Sequence, residues 1–216
     1  MIIVSSFRPH DDCPKANWEQ QIAANRSWTK LFPQICYFNN RDQRMSSSKT
    51  MFLPTKGKPS IKTMATFCGK LTDWSAIVNA DIVIPSNFRR VEDAMRGRPC
   101  ACAISKRYTL PSDGDPAGAQ MVAGDLGLDF FAATPEVWKK AGEAIPKEFT
   151  LGRIVWDNWI LKFFMSEYGN YCHDLTPSRV IFHPQHEGRV DQNWEFPKDD
   201  PYLKKRDNWP FHVIEI

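Results

Sequence analysis

The chain has 216 residues and a mass of 24.9 kDa, enough for one or two domains with a core that folds unaided. At 42% hydrophobic and 25% charged residues it has the composition of an ordinary globular protein, which excludes global disorder and collagen-like repetition. The net charge of +3 is too small to demand a nucleic-acid partner, and no apolar run reaches the ~20 residues of a membrane-spanning helix. The six cysteines (13, 36, 68, 100, 102 and 172) contain no Cys-x-x-Cys pair, so zinc-ribbon and thioredoxin-type chemistry lack support. A reducing cytoplasm is the expected compartment.

The N-terminal stretch Met1-Ile-Ile-Val-Ser-Ser-Phe has no basic region and no long apolar run, so it reads as a first strand over 2–4 rather than a secretion signal. A helix is predicted over Asn17–Phe32, where Trp18/Ile22 and Ala24/Trp28/Leu31 recur at helical spacing, with Asn17 as cap and Pro33 as stop. Residues 35–38 read as a second strand ending in Asn39-Asn40-Arg41-Asp42. Residues 43–60 read as a long loop, of the kind that tends to be functional or mobile. A helix is predicted over 60–73, followed by an apolar run, 75–84, broken by Asn79 and Asp81.

Bases crowd two stretches. Residues 41–70 set Arg41, Arg44, Lys49, Lys56, Lys58, Lys62 and Lys70 against Asp42 alone, and 85–107 add Arg89, Arg90, Arg96, Arg98, Lys106 and Arg107. Such clusters suit phosphate, or equally a solvated face. Further strands are predicted over 100–105 and 128–133, separated by a Gly/Asp/Pro-rich loop over 111–125. Thr134 caps a helix beginning at Pro135. The stretch 154–168 carries Trp156, Trp159, Ile160, Phe163 and Phe164 on one wide apolar face. A late strand, 179–182, ends at His183-Pro-Gln-His186. The β-α alternation predicts an α/β layered domain whose largely parallel sheet binds ligands at the carboxyl ends of its strands.

Four places carry candidate chemistry. Asp81 lies in an apolar run, where burying an unpaired carboxylate is costly; a turn that exposes it or a bound divalent cation resolves the conflict. In His183-Pro-Gln-His186, Pro184 argues against a helix that would let both imidazoles share a metal, so one faces a site and the other is structural, or both are ordinary packing. Asp157 in the first helical turn borders the apolar face and suits a general base, or serves helix stability alone. Asp129 interrupts an apolar strand, to bind a sugar hydroxyl or to anchor a strand. Walker A, Gly-x-Gly-x-x-Gly and Gly-x-Ser-x-Gly motifs are absent, which disfavours P-loop kinases, Rossmann dehydrogenases and α/β serine hydrolases.

Taken in order, Ile2-Ile-Val-Ser-Ser-Phe, Ile77-Val-Asn-Ala-Asp-Ile, Gly127-Leu-Asp-Phe-Phe, Trp156-Asp-Asn-Trp-Ile and His183-Pro-Gln-His-Glu resemble the GT-A superfamily of nucleotide-diphospho-sugar glycosyltransferases. The likeness is to its small bacterial and phage members and spans residues 1–187. It implies a single GT-A-like (Rossmann-like) α/β domain with a mixed, mostly parallel sheet and helices on both faces, followed by an aromatic and charged extension, 188–216, packed on it. It implies that Asn79-Ala80-Asp81 stands for the Asp-x-Asp metal motif, with Asp81 and His183 or His186 binding Mn²⁺ or Mg²⁺ and Asn79 contacting the ribose or the metal shell. Ser5, Ser6 and Arg8 would meet the nucleotide, Asn40 the base, Lys62 the leaving diphosphate, and Asp129 and Trp156 the substrate. Asp157 stands where inverting members carry the base.

Asn at the first motif position contributes no charge, but hard cations accept carbonyl oxygens. The implied partners are a nucleotide-diphosphate sugar, a UDP-sugar first, and an acceptor glycan or hydroxymethylated DNA base, in the cytoplasm (that of the host for a phage protein). The competing readings are a nucleotidyltransferase, which usually carries a Gly-rich loop that residues 5–16 lack, and a non-catalytic nucleotide- or DNA-binding module.

Overall fold

The structure is a computed structural model that describes residues 1–111, 114–121, 128–151 and 156–185, and the backbone of 212–213. In chain order the elements are β1 (Ile2–Ser5), α1 (Lys15–Leu31), β2 (Gln34–Tyr37), β3 (Thr50–Phe52), α2 (Ile61–Cys68), β4 (Ser75–Val78), α3 (Phe88–Arg96), β5 (Cys102–Lys106), β6 (Tyr108–Leu110), β7 (Leu128–Ala133), α4 (Pro135–Ala144), α5 (Trp156–Tyr168), β8 (Cys172–Asp174), β9 (Phe182–Pro184) and β10 (His212–Val213).

One sheet has the order β10-β8-β5-β7-β4-β1-β2-β3. Every pairing in it is parallel except those of β7, which runs against both β4 and β5. The parallel strands therefore end on one edge of the sheet, and β7 brings its first residues, Leu128 and Asp129, to that same edge. Apolar residues of α1 and α3 (Trp18, Trp28, Phe88, Val91) cover one face, and those of α2, α4 and α5 (Ile61, Met64, Trp138, Trp156, Ile160) cover the other. The α/β class, the mostly parallel sheet and the helices on both faces agree with the sequence reading.

Two indoles fix β4 from opposite faces. Trp138 Nε1 donates to the Ser75 carbonyl at its start (2.9 Å), and Trp28 Nε1 donates to the Ile82 carbonyl just past its end (2.8 Å). The α2–α4 layer closes through glycine: a Cβ on Gly142 would lie 2.9 Å from the Thr66 backbone nitrogen. Burial pushes the Cys36 thiol up to about 11 and that of Cys68 up to about 12, so these cysteines pack as small apolar groups.

Several boundaries differ from expectation. Helix α1 begins at Lys15, behind Pro14, whose carbonyl accepts from the Trp18 N–H. The 43–60 loop contains β3, too short to show a period, paired along β2 through Tyr37↔Phe52. The 75–84 run is not one strand: β4 stops at Val78, and the Ile82 N–H returns to the Asn79 carbonyl at 3.3 Å. The late strand shifts to Phe182–Pro184, and Arg179, where it was expected to begin, takes the left-handed conformation (φ 50°) that ends the preceding turn. The proposed extension, 188–216, lies outside the described residues except for the β10 backbone, which pairs with β8.

Candidate active site at the carboxyl edge of the sheet

The turn after β4 lifts Asp81 out of the sheet, leaving its side chain 27% exposed. A short parallel ribbon, β6–β9, stands beside it. Val83 and Phe182 exchange backbone hydrogen bonds (2.8 and 3.0 Å), which hold β9 against the chain just beyond Asp81. That bridge places His183 Nε2 3.3 Å from Asp81 Oδ2. The second histidine of the segment, His186, lies outside the described residues.

Asp129 reaches the same place from β7. It is buried; Asn79 Nδ2 donates to its Oδ1, and Arg107 NH1 approaches Oδ2 at 2.7 Å. Burial pushes the Asp129 carboxyl above the ordinary carboxylate range, Arg107 pulls it down, Asp81 pushes it up and His183 pulls it down. Asp81, Asp129, Arg107 and His183 thus form one electrostatic unit. Arg107 joins β5 to β6; the sequence marked it only as one base of the 85–107 cluster, and its pairing with Asp129 was not foreseen because that partner is 22 residues away in sequence.

The loops after β1 and β2 complete the edge. Asn39 clasps the backbone of Phe7 with both ends of its amide (2.8 and 2.9 Å), and Gln21 of α1 accepts from the Arg8 N–H at 2.7 Å. The Cys13 thiol, raised by burial, also feels Arg8 and Asp81, so this loop borders the Asp81 turn. Ser6 Oγ donates to the Phe38 carbonyl, and Arg8 and Asn40 are exposed. Ser5 is fully buried and its hydroxyl donates to the Val78 carbonyl at 2.6 Å, tying β1 to β4.

The remaining candidates sit on the other face. Lys62 Nζ donates to the Glu143 and Ile145 carbonyls, 3.1 Å each, at the end of α4. Trp156 is core, its ring 5.3 Å from that of Phe131. Asp157, half-buried, stands in the first turn of α5, and because α5 leads into the parallel strand β8, that turn lies at the carboxyl edge. Its neighbour Asn158 is buried with Oδ1 unpartnered among the described residues, a polar atom to which the sequence reading gave no role.

Among the described residues no group of three or more His, Cys, Asp or Glu is gathered as a metal cage. Asp81 Oδ2 and His183 Nε2 stand 3.3 Å apart, so these two side chains could both contribute ligands to a divalent ion, short of the complete set that a cation needs.

No protein-family model and no curated protein matches the chain. Among solved structures, S. aureus TarS 1-349 superposes with a TM-score of 0.57 at 10% identity, over 85% of this chain and 60% of that one. The same protein in complex with UDP-GlcNAc gives 0.51 at 13% identity, over 90% and 61%. A putative glucose-1-phosphate thymidylyltransferase from Bacillus anthracis, in complex with a sucrose, gives 0.48 at 10% identity, over 86% of each chain. The chain thus spans about 60% of the length of the TarS fragment. What the likeness to TarS establishes is the architecture: a GT-A-like α/β domain.

Proposed function

We propose that this protein is a glycosyltransferase that moves a sugar from a nucleotide-diphosphate sugar, a UDP-sugar, to an acceptor hydroxyl. The observation that carries the reading is the convergence of Asp81, His183, Asn79, Asp129 and Arg107 at the carboxyl edge. It is supported by the fold shared with TarS, a protein crystallised with UDP-GlcNAc.

In this reading the loops carrying Ser6, Arg8 and Asn40 cradle the nucleotide. Asp81 and His183 hold Mn²⁺ or Mg²⁺, which when bound neutralises charge on the departing diphosphate, a contribution of several kcal/mol. Asn79, its amide committed to Asp129, has its carbonyl oxygen left to accept from a donor hydroxyl. Arg107 keeps positive charge beside the buried Asp129 and offsets the surplus of carboxylates where the diphosphate must sit. Asp157 takes the proton of the acceptor hydroxyl as its oxygen attacks the anomeric carbon, with inversion.

The test is product analysis. With a UDP-sugar and Mn²⁺ the protein releases UDP, and Asp81→Ala lowers that rate at least a hundredfold, the rough scale of losing one electrostatic stabiliser. Release of pyrophosphate from a nucleoside triphosphate and a sugar phosphate, with none of UDP, would replace this reading by nucleotidyl transfer.

A further inference from the structure

We propose that Thr109 is a specificity-determining residue whose hydroxyl hydrogen-bonds the sugar of the donor. The proposal deepens the transferase reading and rests on it for the identity of the ligand. Its basis is the two-faced β6–β9 ribbon, in which Tyr108 pairs with Phe182, Thr109 with His183 and Leu110 with Pro184. Paired residues of neighbouring strands share a face, and successive residues alternate between faces. Tyr108, Leu110 and Phe182 are buried together with Ala119, against Val83. Thr109 and His183 therefore fall on the opposite face, from which His183 Nε2 comes within 3.3 Å of Asp81 Oδ2. Arg107, two residues before Thr109, belongs to the same alternation and reaches Asp129 at 2.7 Å. Thr109 is thus flanked along its own chain by Arg107 and across the ribbon by His183, the two groups that meet the site's carboxylates.

The Thr109 backbone is held and its hydroxyl is uncommitted. Thr109 exchanges two backbone hydrogen bonds with Gln120 (2.8 and 3.1 Å), and the Tyr108 N–H donates to the Ile181 carbonyl at 2.9 Å. On the buried face Arg179 fastens the same strand: its guanidinium lies 4.7 Å from the Tyr108 ring centroid and donates to the Ala119 carbonyl at 2.6 Å. The Thr109 side chain is half-buried and makes no hydrogen bond among the described residues. A hydroxyl on a backbone fixed from both edges is preorganised for a ligand.

Sheet order says which part of the donor it meets. The loops that follow β1 and β2 lie on one side of β4, whereas β7 and β5 lie on the other, and β6 continues from β5. A donor with its nucleotide at Ser6, Arg8 and Asn40 and its diphosphate at Asp81 extends its sugar toward β7 and β5, the side that carries Thr109. A threonine hydroxyl both donates and accepts, which matches the hydroxyls of a sugar, whereas a diphosphate offers only acceptors.

The experiment measures, by calorimetric titration of the full chain with Mn²⁺ present, the affinities for UDP, UDP-glucose, UDP-galactose and UDP-GlcNAc. The parent is compared with T109V, which keeps the shape and loses the hydroxyl, and with T109S, which keeps the hydroxyl. For the sugar nucleotide that the parent binds most tightly, T109V is expected to bind about three- to tenfold more weakly, the scale of one net hydrogen bond, and T109S within about twofold of the parent. UDP itself is expected to bind all three proteins alike. A merely structural role would instead weaken UDP and its sugars together and would not be rescued by serine. Circular dichroism checks the fold, and if T109V does not fold, T109A takes its place. T109V binding the sugar nucleotide as well as the parent does, or losing UDP in equal measure, overturns the proposal and leaves the transferase reading standing. A parent that binds none of the three sugar nucleotides sinks that reading and the role of Thr109 with it.

Discussion

Burial alone would drive Asp129 toward its neutral form, and Arg107 opposes that. Removing the guanidinium in Arg107→Gln is expected to raise the Asp129 pKa further, which carbon-detected NMR of the carboxyl resonance reads directly; an unchanged titration would contradict the coupling. The sign for stability follows. A carboxyl whose folded pKa lies above its unfolded value binds its proton more tightly in the native state, so its contribution is greatest below the unfolded pKa and is lost as pH rises through the folded one. Asn158 allows a different separation. Replacing an unsatisfied buried polar group by an apolar one of similar shape is close to neutral or stabilising, so Asn158→Leu should melt no lower than the parent. If Oδ1 faces the substrate, the variant turns over more slowly. A lower melting temperature with unchanged turnover would show a structural residue. Asp81 was legible in the sequence because a lone acid in an apolar run conflicts with burial; Arg107 was visible only as one base of a cluster, because its ion pair is with a residue on a distant strand.

At the scale of elements, the position of Asp81 depends on the turn that follows β4, and that turn is tied to α1 by Trp28. Trp28→Phe leaves the Ile82 carbonyl without its donor and should cost about 1–3 kcal/mol in urea denaturation, together with weaker donor binding; full stability would mean that the indole does not hold the turn. In the opposite layer, Gly142→Ala gains about 1 kcal/mol of helix propensity. It also forces a methyl into the Thr66 backbone, where overpacking typically costs about 1–3 kcal/mol. A net fall in the urea midpoint is expected, and a rise would show that α2 and α4 can separate freely. The long amphipathic helices could be read from the periodicity of Trp18, Trp28, Trp156 and Ile160. The three-residue strands β3, β6 and β8 could not, since pairing with distant neighbours rather than local pattern creates them, and β9 was read only with its bounds shifted.

At the scale of the molecule, strand direction assembles the site. The parallel strands of the sheet end where antiparallel β7 begins, so Asn79, Asp81 and Asp129 meet at one edge although 50 residues separate Asn79 from its partner. The β-α alternation foretold a mostly parallel sheet, but not the insertion of β7 between β4 and β5, because strand order is set by long-range pairing. The same topology puts the first turn of α5 at that edge. Asp157→Asn should therefore keep nucleotide-sugar binding and lose roughly 10²–10⁴ in transfer rate, the usual contribution of a general base; a variant with full turnover would remove Asp157 from the chemistry.

The most direct measurement is the melting temperature of the protein and of Asp81→Ala with UDP-sugars, with and without Mn²⁺. At a ligand concentration near a hundred times its dissociation constant, mass action stabilises the parent by about 2.7 kcal/mol, or roughly 5–10 °C for a chain of this size. The account predicts a shift of that order in the parent, larger with Mn²⁺ and abolished in Asp81→Ala. A parent that does not respond to any nucleotide sugar, or a variant that responds equally, would contradict it.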